Sequence, residues 1–85
     1  MSYQVLLRPG AERQRRKLDD KIRHRINDAL LSLEEIPRPP GVVRLRAAEN
    51  EWRIRVGDYR VIYEIDEDKR LVVILRIKHR REAYR

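Results

Sequence analysis

The stretch Trp52–Tyr63 reads WRIRVGDYRVIY and contains two runs in which apolar and polar residues alternate. Side chains point to opposite faces of a strand in turn, so each run has one apolar face. Gly57-Asp58 separates the runs and is a turn-prone pair of the kind that joins two strands in a hairpin. The stretch therefore predicts an antiparallel β-hairpin. Its apolar face consists of Trp52, Ile54, Val56, Tyr59, Val61, Tyr63 and Ile65.

The opposite face of this hairpin carries three arginines, Arg53, Arg55 and Arg60. Guanidinium groups bind phosphate oxygens through two parallel hydrogen bonds, so such a face suits a phosphodiester backbone. A solvated sheet face explains the same pattern, and the residues alone leave both interpretations open. The aromatic residues Trp52 and Tyr59 lie on the apolar face, which favours a core or rim position over stacking on bases.

The N-terminal half predicts one strand followed by two helices. Alternation predicts a strand over Tyr3–Arg8, which Pro9-Gly10 ends. The charged segment Pro9–Leu18 predicts a short helix whose arginines form either a solvated face or a phosphate-contacting ridge. Apolar residues at helical spacing predict an amphipathic helix over Asp20–Glu35, with Asp19 or Asp20 as its N-cap. The apolar stripe of that helix is Ile22, Ile26, Ala29, Leu30 and Leu33.

The C-terminal half predicts strands on both sides of the hairpin. A proline-rich loop ends the second helix, and Val42–Arg46 predicts a short strand after it. Asp66–Lys69 predicts a polar turn. Leu71–Lys78 begins with a continuous apolar run, which predicts a central strand buried on both faces until Arg76, where one face opens to solvent. A basic tail follows.

These elements predict a single domain over residues 1–85, because 85 residues are too few for two. We expect an α+β fold in which two N-terminal helices pack on one face of a small, mostly antiparallel four- to five-stranded sheet. The last three strands form an antiparallel meander. A chain of this size buries about 60–70% of its unfolded surface, so we expect a shallow surface site.

Charge points to a polyanionic partner. The formal net charge is +7, and it is shared between +3 for residues 1–42 and +4 for residues 43–85. The chain has no cysteine and two histidines, so we expect no disulfide, no metal and no cofactor. No apolar run approaches the ~20 residues that span a bilayer, so we expect no membrane segment and a cytoplasmic protein.

The open sheet face and the tail bring together the residues that suit single-stranded RNA. Arginines hold phosphates and aromatic rings stack on unpaired bases. RNA also supplies its own nucleophile, because a 2′-OH can attack the adjacent phosphate. The protein then needs only to orient the backbone, stabilise negative charge and move two protons. The candidates are Arg53, Arg55, Arg60, Arg76, Lys78, His79, Arg80, Arg81 and Tyr84.

Three stretches, Tyr3-Gln-Val, Trp52–Tyr63 and Ile77–Tyr84 (IKHRREAY), resemble the RelE branch of the RelE/ParE toxin superfamily. The resemblance covers essentially the whole chain. It implies a RelE-like fold and a toxin of a type II toxin–antitoxin system. It also implies an mRNA endonuclease that enters the ribosomal A site, cleaves the codon there and is neutralised by a cognate antitoxin, which we expect to be acidic.

The resemblance also implies roles by position. Arg60 would stabilise the pentavalent phosphate, Arg80 would protonate the leaving oxygen, and Tyr84 would stack on a codon base. Arg53 and Arg55 stand where the best-known member has lysines. Since an arginine stays protonated, we expect His79, with an ordinary pKa of ~6.5, to accept the 2′-OH proton. The predicted catalytic residues are Arg55, Arg60, His79 and Arg80, and the predicted RNA-binding residues are Arg53, Arg76, Lys78, Arg81 and Tyr84.

Two other functions fit the same fold. A ParE-like toxin would inhibit DNA gyrase and cut no RNA; the arginine set and the tail tyrosine argue against it. An inactive relic that only binds its antitoxin is the third possibility, because the two lysines are replaced.

Overall fold

The computed structural model describes residues 2–45 and 50–83, except the side chains of residues 82 and 83. The elements in chain order are β1 (Gln4–Leu7), α1 (Pro9–Arg16), α2 (Asp20–Glu35), β2 (Val43–Arg44), β3 (Glu51–Val56), β4 (Tyr59–Asp66), β5 (Leu71–His79) and α3 (Arg80–Ala83). The five strands form one sheet in the order β1-β5-β4-β3-β2. Only the β1–β5 pair is parallel among the described strands. The predicted α+β class and the antiparallel meander are confirmed.

The central hairpin is formed by β3 and β4, which are joined by the turn Gly57-Asp58 and paired from Val56↔Tyr59 to Glu51↔Glu64. Gly57 has φ +58°, a left-handed conformation that glycine adopts without a steric penalty. The apolar face of the hairpin is buried as predicted. Its fully covered members are Ile54, Val56, Val61, Tyr63 and Ile65.

Both helices lie on that apolar face, as expected. Pro9 opens α1, and Asp19 caps α2 by accepting a hydrogen bond from the Ile22 backbone N–H at 3.2 Å. The stripe of α2 buries Ile26 and Leu33 against the sheet. Burial of these side chains is the main stabilising contribution in a domain of this size.

Tyr63 connects the sheet to the end of α2. Its ring is completely buried, and its hydroxyl donates a 2.7 Å hydrogen bond to the carbonyl oxygen of Pro37. Burial raises the pKa of Tyr63 to about 12. The hydrogen bond fixes the proline-rich loop over the end of the sheet that lies opposite the hairpin turn.

The burial of strand β5 differs from the prediction. We expected its apolar start to be buried on both faces, and this is wrong: Val72 and Ile74 are buried under the helices, whereas Leu71 and Val73 are only half-buried. We call the sheet face opposite α1 and α2 the open face. A bulge between Ile62 and Tyr63 also shifts the register with β5.

Boundaries differ at several elements. The first helix ends at Arg16 rather than Leu18, and β2 is only Val43–Arg44. Arg46 lies outside the described residues. The last strand extends to His79 rather than Lys78, and the basic tail begins with a helical turn, Arg80–Ala83. Among residues 2–45 and 50–83, none of the helices could span a lipid bilayer.

Candidate nucleic-acid interface

Three cationic side chains form a row across the open face beside the hairpin turn. Arg55 pairs with Arg60 across β3 and β4, and Arg60 pairs with Lys78 across β4 and β5. We call Arg55, Arg60 and Lys78 the cation row. Like charges directly opposite each other destabilise a sheet, so the stability of the fold does not explain this arrangement.

The middle member of the cation row is buried. Arg60 is 4% exposed and is the one buried charged residue in the described part of the chain. Its Nη1 lies 3.5 Å from the Tyr59 carbonyl oxygen. Lys78 is half-buried, whereas Arg55 is exposed, with its Nε 3.5 Å from the Gly57 carbonyl oxygen. Electrostatic interactions of a charge held out of water are stronger than those of a solvated charge.

The neighbouring row of residues across β3, β4 and β5, farther from the hairpin turn, carries less net positive charge than the cation row. Arg53 and Arg76 flank Ile62 on the same face. Arg76 is partly neutralised, because its Nη2 lies 3.3 Å from Oε1 of Glu51. Arg53 makes no ion pair with a described residue. The positive charge of the open face is therefore concentrated at the hairpin end.

The start of α3 brings Arg80 to the same end. Its backbone N–H donates a 2.7 Å hydrogen bond to the carbonyl oxygen of Asp58, and its Nε lies 4.0 Å from Oδ1 of Asp58. Sequence reasoning placed Asp58 only in the turn, because pairing between a turn and a distant tail has no local signature. Arg81 is exposed, and Tyr84 lies outside the described residues.

His79 is placed apart from the cation row. It pairs with Tyr59 across β4 and β5, which puts its side chain on the helix-covered face, and the two rings meet edge to face at 5.2 Å. Its Nδ1 accepts a hydrogen bond from the Arg81 backbone N–H at 3.3 Å. This contact engages one of the two ring nitrogens of His79. The predicted role of His79 as a base stays a prediction.

The far end of the sheet has a different chemistry. The Tyr3 hydroxyl donates to Oε2 of Glu67 at 2.6 Å, and Arg38 lies 2.7 Å from Oε1 of the same carboxylate. These contacts lower the pKa of Glu67, that with Tyr3 most strongly. Arg38 also covers the Trp52 ring at 4.8 Å, which makes Trp52 a rim residue. Arg38 at this end therefore has both an anionic and an aromatic partner within the protein.

Metal ligands are not gathered in the described residues, where no group of three or more His, Asp or Glu side chains could hold a metal ion.

Comparison with known proteins assigns the chain to a family. The model of the ParE toxin of type II toxin–antitoxin systems matches residues 5–84. The chain is 34% identical to Toxin RelG of Mycobacterium tuberculosis over 86 residues, covering 100% of this chain and 99% of that protein. This chain therefore belongs to the ParE toxin family, within the RelE/ParE superfamily, and is a toxin of the type II toxin–antitoxin class.

Solved structures agree with this assignment. The archaeal RelE–RelB complex from Pyrococcus horikoshii is similar with a TM-score of 0.84 and 28% identity, covering 94% of this chain and 97% of that chain. The RelBE2 toxin–antitoxin complex from Mycobacterium tuberculosis is similar with a TM-score of 0.80 and 29% identity, covering 93% of this chain and 99% of that chain. The RelE-like fold that the sequence predicted is confirmed.

Proposed function

We propose that this toxin is a ribosome-dependent mRNA endonuclease that cleaves codons in the A site. The observation that supports it most is the cation row, in which the buried Arg60 lies between Arg55 and Lys78. Three adjacent cations on an open face gain most from a ligand with several negative charges close together. A single-stranded RNA backbone is such a ligand.

The proposed reaction uses the nucleophile that RNA carries. The 2′-OH attacks the neighbouring phosphorus, a bond to the 5′-oxygen breaks, and a 2′,3′-cyclic phosphate forms. Arg60 stabilises the extra negative charge on the pentavalent phosphate, assisted by Arg55. Arg80, held at the hairpin end by its contacts with Asp58, would donate the proton to the leaving oxygen.

The proton acceptor has two candidates. His79 is the residue that the sequence predicted, although its Nδ1 already accepts a hydrogen bond from the Arg81 backbone. Lys78 lies in the cation row itself, and a lysine, unlike an arginine, can lose its proton in a protein site. If His79 is the acceptor, cleavage is abolished in His79→Ala. A lysine acceptor gives cleavage that survives His79→Ala and is lost in Lys78→Gln.

The test is induction of the protein in cells followed by mapping of mRNA 5′ ends. We expect new ends within translated codons for the wild type and none for Arg60→Ala combined with Arg80→Ala. Arg16→Ala is the matched control, because it removes a cation from α1 and should leave cleavage intact. Intact messages under wild-type induction would contradict the proposal. Thermal unfolding of each variant shows whether the fold is preserved.

A second candidate function follows from the family model, which describes ParE toxins. A ParE-like toxin that inhibits DNA gyrase would block supercoiling by purified gyrase and leave messages intact. An inactive relic would do neither. One pair of assays, supercoiling and end mapping, therefore distinguishes the three functions.

We also propose an acidic antitoxin as the partner. The Pyrococcus and Mycobacterium structures are toxin–antitoxin complexes, and a net charge of +7 favours a partner of opposite charge. Affinity purification of the tagged protein from its native source should recover a small acidic protein. Recovery of the toxin alone would contradict this partner.

A further inference from the structure

An arginine of α2 reaches the hairpin turn from the side of the sheet opposite the cation row. A Cβ atom on Gly57 would lie 3.1 Å from Nη1 and 3.6 Å from Cζ of Arg25, and 3.6 Å from Cδ1 of Ile22. The guanidinium of Arg25 therefore lies directly over Gly57. Arg25 is exposed and makes no ion pair with any described carboxylate, including that of Asp58 in the same turn.

Three guanidinium groups thus approach one two-residue turn from three elements. Arg55 of β3 lies 3.5 Å from the Gly57 carbonyl oxygen, and Arg80 at the start of α3 contacts Asp58. Arg25 of α2 covers Gly57. Only Arg80 of these three has a carboxylate near it among the described residues. An anion that lies against the turn would interact favourably with all three cations.

We propose that Arg25 is an additional phosphate-binding residue of the RNA site. The RNA backbone would continue from the cation row around the hairpin turn, and Arg25 would hold a phosphate that flanks the scissile one. This inference rests on the proposed function, because it extends the same binding surface. Arg25 acts by binding and positioning the RNA, and a phosphate contact of this kind is independent of base sequence.

The experiment measures binding of a fully 2′-O-methylated single-stranded RNA, which has no free 2′-OH and cannot be cleaved. Fluorescence anisotropy of the full chain over a range of salt concentrations gives the slope of log K against log salt. Each phosphate contact to a single strand contributes about 0.7 to that slope. We expect Arg25→Gln to reduce the slope by about 0.7 and to weaken binding about threefold to tenfold at low salt.

Two variants separate a phosphate contact from other effects. Arg25→Lys keeps the charge and should keep the slope. Lys69→Gln removes one exposed cation from the β4–β5 turn, at the opposite end of the sheet, and should also leave the slope unchanged. A purely structural role of Arg25 would lower the unfolding temperature of Arg25→Gln without changing the slope.

The experiment distinguishes an error in the role of Arg25 from an error in the proposed function. Wild-type protein that neither binds this RNA nor cleaves messages overturns the proposed function and Arg25 with it. Wild-type protein that binds, with equal slopes for Arg25→Gln and the wild type, overturns the role of Arg25 alone.

Discussion

The cations of α1 and the cations at the hairpin end occupy different environments, although both groups look equally basic in the sequence. Arg15 and Arg16 of α1 share Glu12, with Nε–O distances of 2.6 Å and 3.3 Å. In the cation row, the sheet register places three positive charges side by side, with Arg55 and Lys78 on either side of Arg60. An ion pair on the surface adds solubility and a small amount of stability. Adjacent like charges, by contrast, favour the binding of an anion.

The largest expected effect on cleavage comes from replacing an arginine of the cation row by lysine, which keeps the charge but not the planar guanidinium. Arg60→Lys retains a positive charge but loses the planar pair of donors that binds two phosphate oxygens. We expect cleavage of ribosome-bound message to fall about 10²-fold, in line with loss of one donor to a transition-state oxyanion. The measurement is a single-turnover cleavage rate. Arg16→Lys in α1 is the control, and an equal fall in both variants would remove the distinction between the regions.

The next effect concerns the turn that positions the row. Gly57→Ala places a side chain at φ +58° and a Cβ atom 3.1 Å from Arg25, so we expect a loss of about 1–2 kcal/mol in the free energy of unfolding. Urea denaturation measures it. Gly10→Ala in α1 is the matched control, since its Cβ meets only Arg13 at 3.8 Å and should be neutral or stabilising. Tolerance of Gly57→Ala at wild-type stability would show that the turn conformation is not required.

The smallest effect tests the paired cations of α1. The guanidinium of Arg15 lowers the pKa of Glu12, so the ionised carboxylate is the form that stabilises the fold. That stability is present above the ordinary carboxyl pKa and is lost as pH falls through the lower pKa of the folded state. We expect Glu12→Gln to unfold more easily at pH 7, by less than about 1 kcal/mol, and the difference to vanish in acid.

Cleavage by Glu12→Gln should be unchanged, because Glu12 lies away from the row. Glu35→Gln, an exposed residue of α2 that makes no ion pair with a described residue, is the control for loss of a carboxylate. A pH-independent loss of stability in Glu12→Gln would contradict the assigned ion pair.

Local patterns predicted most of the fold. Alternation in Trp52–Tyr63 predicted the hairpin and its two faces, and helical spacing predicted α2 with its observed bounds. The error at β5 has a physical reason: the apolar residues Leu71 and Val73 lie on a face that neither helix covers, and an apolar run does not reveal which layers exist. The parallel pairing of β1 with β5 joins residues far apart in the chain and has no local signature.

The sequence predicted which residues belong to the candidate site, but not how buried they are or which way each side chain points. Register places Arg55, Arg60 and Lys78 in one row, as alternation implied, but burial of Arg60 depends on packing that no spacing rule describes. His79 shows the opposite case, because the register turns it toward Tyr59 and away from the row. Helix α2 was predicted from its apolar stripe, to which Arg25 does not belong. The approach of Arg25 to Gly57 depends on how α2 packs on the sheet, which the sequence does not reveal.

The most direct test of the central claim compares two charge-matched double variants in one assay. Arg55→Gln with Lys78→Gln removes two cations from the row, and Arg13→Gln with Arg16→Gln removes two from α1. Single-turnover cleavage of mRNA on programmed ribosomes should fall at least about 100-fold for the first and stay within about threefold of wild type for the second. Equal losses in the two variants, or a larger loss in the α1 variant, would contradict the assignment of the hairpin end as the site.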